Sequence, residues 1–135
     1  MLNFEPDPRY QTYWRHFRSG RFWEAHEVLE GLWLESNPPD KTFYHGLIQA
    51  AASLHHLGEG NLAGAEKLAQ RARQKLQAFG RAHLGVQIES LLMGLSVSLA
   101  DVAAGVDREG KVGVERRRIP RVDLAYGLDP LSTSD

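Results

Sequence analysis

The sequence predicts an all-α fold: a compact bundle of about five helices followed by an extended C-terminal tail. Three observations predict it. Apolar residues recur at helical spacing through residues 1–105. No sustained alternation of apolar and polar residues, the mark of a strand, occurs there. The segments are separated by short breaks of Gly, Pro and Asn, as expected for antiparallel neighbours in a bundle.

Asp7-Pro8 reads as an N-cap followed by proline at the first helical position, opening a helix to about Ser19. Gly20 serves as the C-cap or turn. A second helix spans about Arg21 to Glu35 and ends at Ser36-Asn37-Pro38-Pro39, where consecutive prolines cannot continue it. Asp40 is expected to cap a third helix, which runs to about Leu57 and closes at Gly58-Glu59-Gly60. Asn61 caps a fourth, ending near Phe79-Gly80, with Leu62, Ala65, Leu68, Ala69, Ala72, Leu76 and Phe79 as its apolar positions. A fifth runs from about Val86 to Ala103 on the stripe Ile88, Leu91, Leu92, Leu95, Leu99 and Val102. Residues 106–135 read as an extended tail held by Ile119, Val122, Leu124 and Tyr126.

Composition narrows the function classes. The 135 residues hold no cysteine, which excludes disulfides, thiolate metal sites and cysteine nucleophiles. Sixteen basic against seventeen acidic residues give a formal charge of −1, so a surface that binds nucleic acid as a whole is not expected. No signal peptide or membrane span is predicted, and a cytoplasmic protein is the expectation. Arg outnumbers Lys twelve to four and Asn occurs three times, a composition that points to a GC-rich or thermophilic source. Charge is uneven. Residues 66–81 carry Lys67, Arg71, Arg73, Lys75 and Arg81 against Glu66, and residues 106–122 carry six basic against three acidic residues. Such runs usually form a solvated face.

The informative residues are polar groups placed where apolar ones belong. On a wheel of 100° per residue, His26 falls among Phe22, Leu29 and Trp33 of the second helix, with Glu30 one turn on. Glu27 lies near Trp23 and Leu34. The third helix has no charged residue from Thr42 to Gly58, and Gln49 and His56 share a side with His45 and Ala52. One reading is a buried His26/Glu30/Gln49/His56 network that fixes register, since buried polar groups normally find partners without doing chemistry. The other is a metal-dependent hydrolase with its site between helices two and three. His26-Glu27-Val28-Leu29-Glu30 has the form His-Glu-x-x-Glu, like the zincin helix without its second His. His26, Glu30 and His56 would then be ligands for zinc, manganese or iron, with Glu27, Glu30 or His26 as catalytic groups. The Trp residues read as core, and His16, His45, His55 and His83 as packed or solvent-facing. A homo-oligomer is compatible with the sequence.

The run Phe17-Arg18-Ser19-Gly20-Arg21-Phe22-Trp23-Glu24-Ala25-His26-Glu27-Val28-Leu29-Glu30-Gly31-Leu32-Trp33 is one distinctive block. Gly46-Leu47-Ile48-Gln49, followed by His56 and Asn61-Leu62-Ala63-Gly64-Ala65, is a second. Together they resemble the domain of unknown function 309 family, small helical proteins of bacteria, archaea and plastids. The resemblance covers about residues 10–80. It implies an all-helical fold, no established activity, and signature positions at Glu24, His26, Glu27, Glu30, Trp33, Gln49 and His56. A non-enzymatic binding or scaffolding protein is the first functional expectation, the hydrolase the alternative.

Overall fold

The computed structural model describes residues 6–104, so the expectations for the tail and for the basic residues of 106–122 lie outside the described residues. Five α-helices form in the expected order: α1 (Pro8–Arg18), α2 (Phe22–Glu35), α3 (Asp40–Gly58), α4 (Leu62–Leu76) and α5 (Ile88–Ala104). The caps follow from local chemistry. The Asp7 side chain accepts from the Arg9 amide, with Pro8 at the first turn, and the Asn61 side chain accepts from the Gly64 amide. Arg9 bridges Asp7 to Glu35 at 3.1 and 3.0 Å, tying the start of α1 to the end of α2.

Three details differ from the sequence reading. Asp40 does not cap α3. It is the first helical residue, and its carboxylate meets Nε2 of His83 at 2.9 Å. Second, α4 ends at Leu76, three residues early, and the chain tightens into a 3₁₀ turn over Gln77–Phe79. Third, a two-stranded hairpin, β1 (Ala82–His83) and β2 (Val86–Gln87), precedes α5. Its turn residues Leu84 and Gly85 have φ of 46° and 80°, the pattern of a tight hairpin whose twist matches its strands.

The core is aromatic at one end. Tyr10, Tyr13, Trp14 and Phe17 of α1 are fully buried and meet one another and Phe22 largely edge-on, as ring quadrupoles favour. Two buried hydroxyls are satisfied. Tyr13 donates to the Leu47 carbonyl at 2.7 Å, and Ser53 to the Ala65 carbonyl at 2.6 Å. Burial pushes the Tyr13 phenol well above its usual range, so it remains a donor at any ordinary pH.

α3 organises the rest. It packs extensively against α2 on one side and α4 on the other, while α1 packs on α2 and α5 chiefly on α4. The α3–α4 crossing is close because Gly46 lets Leu76 approach. A Cβ on Gly46 would stand 2.8 Å from the Leu76 side chain.

Candidate functional site

α3 is the natural place for a site because its strip His45, Gln49, Ala52, His56 recurs at helical spacing between the flanks given to α2 and α4. The His45 ring meets Trp33 of α2 at 4.9 Å and feels the charge of Lys75 from α4. Burial, seconded by Lys75, lowers the pKa of His45 below 6.5 and favours its neutral form.

Two ring contacts fix how α2 runs along this strip. Trp33 meets His45, and Trp23 meets His55 at 4.9 Å. Ten residues from Trp23 to Trp33 match ten from His55 back to His45, so the helices run antiparallel in one register. That register sets Ala52 level with His26, and Gln49 level with Leu29.

Each expected site residue can now be placed. His26 stacks on Trp23, with centroids 4.5 Å apart and planes 23° apart. Its Nε2 is 3.9 Å from the carboxylate of Glu30, so the i,i+4 proximity is real though long for a hydrogen bond. Its Nδ1 is buried and has no hydrogen-bond partner. Gln49 is only 9% exposed, and its Oε1 also lacks a partner. His56 does not join these residues. Its Nδ1 lies 3.4 Å from the Asn61 amide nitrogen, at the turn into α4. Glu24, Glu27 and Glu30 are exposed. Trp33 is half-buried, with Lys41 over its ring at 5.7 Å. Trp23, read from sequence as core, is 43% exposed.

So among the described residues the expected four-residue network is not seen: Gln49 Oε1 and His26 Nδ1 have no hydrogen-bond partner, and His56 meets Asn61 instead. Nor, among the described residues, do three His, Asp or Glu side chains converge as metal ligands. What forms instead is a seam between α2 and α3, closed by an indole–imidazole pair at each end, with two unpartnered polar atoms in between. Sequence reasoning set aside His45 and His55. The signal that marks them is spacing, ten residues on α3 matching ten between Trp23 and Trp33 on α2.

A cleft of about 480 Å³ also opens between α4 and α5, lined in part by Arg73, Arg81, Leu92, Met93 and Ser96. Its half-buried cation is already engaged. Arg73 donates to the Ser96 hydroxyl at 2.6 Å and to the Leu92 carbonyl at 3.4 Å. On the basic side of α4, Lys67 and Arg71 are exposed as expected and Lys75 is half-buried, while Arg81, exposed too, lies beyond the end of the helix.

The helices that build the seam coincide with a known family. Residues 10–68 match the family described as "Domain of unknown function (DUF309)". The family resemblance therefore holds for this segment. Two relatives agree with it. The "Uncharacterized protein YpuF" of Bacillus subtilis (strain 168) is 39% identical over 75 residues, covering 54% of this chain and 43% of that protein. An "Uncharacterized protein" of Aquifex aeolicus (strain VF5) is 48% identical over 46 residues, covering 33% of this chain and 14% of that one. The chain thus spans less than half the length of either relative. No helix among the described residues is long and apolar enough to cross a membrane.

Proposed function

We propose that this chain is a non-enzymatic binding module whose α2–α3 seam receives a polypeptide segment. The observation that carries the reading is the pair of unpartnered buried atoms, Gln49 Oε1 and His26 Nδ1, in one seam. Each such atom costs about 1–3 kcal/mol when it lacks a partner, so a bound segment that supplied one would be favoured. Trp14 Nε1, also without a partner, lies in the aromatic core away from the seam. A side-chain amide can both accept from and donate to a peptide group. Beside it stand an exposed Trp23 and Leu34, apolar groups of the kind that anchor protein interfaces. The metal-dependent hydrolase lacks comparable support, because His56 turns to Asn61 rather than towards His26 and Glu30.

The test is denaturant unfolding of Gln49→Leu and of His26→Phe, which keeps an aromatic ring against Trp23. Both are expected to be neutral or to gain up to about 2 kcal/mol, because an unpaired polar atom is removed. A loss of more than about 1 kcal/mol in both would make the residues structural and overturn the reading. Thermal melts of the wild-type chain with Zn²⁺, Mn²⁺ or Fe²⁺ are expected to show no shift. A rise abolished by His26→Phe would reinstate the hydrolase.

A further inference from the structure

α5 packs chiefly on α4 and only lightly on α3. Its outward stripe, Met93, Val97, Ala100 and Ala104, stands at i, i+4, i+7 and i+11. All four are exposed, Met93 at 62% and Val97 at 42%, and none can carry a charge. A helix facing water normally turns polar side chains outward. An uncharged, exposed stripe of this kind marks an interaction surface.

α4 runs antiparallel beside it. Midway along the pair, Arg73 donates to the Ser96 hydroxyl at 2.6 Å. Towards one end, the cleft of about 480 Å³ places Gln77 and Arg81 alongside Glu89 and Met93. Towards the other, a cleft of about 370 Å³ places Glu66 and Gln70 alongside Ala100 and Ala103. The rim of α4 on this face therefore reads Glu66, Gln70, Arg73 and Gln77, with Arg81 just past the helix end. Glu66 and Arg81 lie equally far from the middle of that rim, as do Gln70 and Gln77. On α5, Met93 and Ala100 lie equally far from the Ser96–Val97 midpoint, as do Glu89 and Ala104. The two midpoints meet at the Arg73–Ser96 contact.

A face with that symmetry fits a copy of itself. A twofold axis crossing both helices at the Arg73–Ser96 contact lays α4 on α4 and α5 on α5 of a second copy, each pair antiparallel. Met93 then meets Ala100 of the second copy, large against small, and Val97 meets the neighbourhood of Ser96. Gln70 meets Gln77, and side-chain amides both donate and accept. Glu66 meets Arg81, and symmetry makes that pair twice. Neither residue is in a salt bridge among the described residues of one copy. Arg73 is half-buried on the axis and bonded to its own Ser96 hydroxyl and Leu92 carbonyl. The size is adequate. The 17 residues of α5 span about 25 Å, and the helix pair is about 20 Å wide. Two such faces together bury about 1,000 Å², where specific interfaces begin.

We infer that the chain forms a twofold dimer through its α4–α5 face, with Glu66 of each copy opposite Arg81 of the other. The dimer leaves the α2–α3 seam aside, and neither reading depends on the other.

The experiment is sedimentation equilibrium of the full chain at concentrations on the order of 1–200 µM, in about 0.05 M salt, where exposed charges are least screened. The average mass is expected to rise from 15.1 kDa towards twice that value. Val97→Glu, a change at an exposed position, should weaken association at least tenfold while circular dichroism shows the helices unchanged. Glu66→Arg and Arg81→Glu should each weaken it several-fold, since each sets like charges together at two places. The double variant Glu66→Arg with Arg81→Glu should recover the wild-type association. A monomer at every concentration would overturn the inference, whether the chain's own residues or another protein covers the stripe. So would a dimer that Val97→Glu leaves intact, or single reversals that associate as well as the double variant.

Discussion

A single buried hydroxyl shows how much this fold relies on local satisfaction of polar groups. Tyr13 packs fully buried against Trp14 and Phe17, and its phenol donates to the Leu47 carbonyl of α3 at 2.7 Å. Tyr13→Phe keeps the ring and strands that carbonyl's second bond, so chemical denaturation should report a loss of about 1–2 kcal/mol. A wild-type midpoint would mean that Leu47 is satisfied without it. Gln49→Leu is expected to behave in the opposite way, since the Gln49 amide oxygen has no bond to lose. The two buried polar residues are thus expected to respond with opposite sign. At this scale the sequence exposed half of the site. Polar residues on apolar stripes marked His26 and Gln49, and i+4 spacing paired His26 with Glu30. It could not show that Trp23 would stack on His26, because a wheel describes one helix and that ring position also depends on His55 of another. Nor could it foresee that His56, on the same side as Gln49, would be captured by Asn61 at the following turn.

Between elements, the α3–α4 contact is the sharpest constraint. Ala at position 46 would set a methyl 2.8 Å from the Leu76 side chain and 3.3 Å from Lys75 Cβ. Leu76 is fully buried and has little room to move, so Gly46→Ala is expected to cost about 1–3 kcal/mol as α4 shifts outward. A stabilised Gly46→Ala protein, gaining only helix propensity, would show that the crossing yields freely. The helices themselves were legible because their apolar periodicity, prolines and capping residues agree. Residues 80–87 were not. Leu84 and Gly85 make a hairpin turn of two residues, and strands of two residues are too short to establish any period. The misplaced cap has a similar cause. Asp40 looks like an N-cap in one dimension, but Pro39 takes that position and His83, distant in sequence, takes the carboxylate.

Over the whole described molecule, the acid response should come in two stages with different causes. His16 and His45 both have pKa values lowered from 6.5, by burial first and by Arg21 and Lys75 respectively second. Their folded forms resist protonation that the unfolded chain accepts. The unfolded state therefore binds more protons just below pH 6.5, and stability rises with pH there. That contribution is complete above 6.5 and is lost as pH falls from 6.5 through the lowered folded values. Asp7 and Glu35 supply the second stage. Hydrogen bonds from Arg9 hold both below their ordinary values of 3.8 and 4.5. Their contribution is present above those values and disappears as pH falls through the folded ones. Denaturant midpoints measured from about pH 7.5 to 3 should show a decline beginning near 6.5 and a further one in the carboxylate range. His16→Gln with His45→Gln should flatten the first stage and leave the second, whereas Arg9→Gln should do the reverse. An unchanged upper stage in the double histidine variant would mean that some other group carries it, and that Trp33 and Lys75 do not hold His45 as closely as the seam requires.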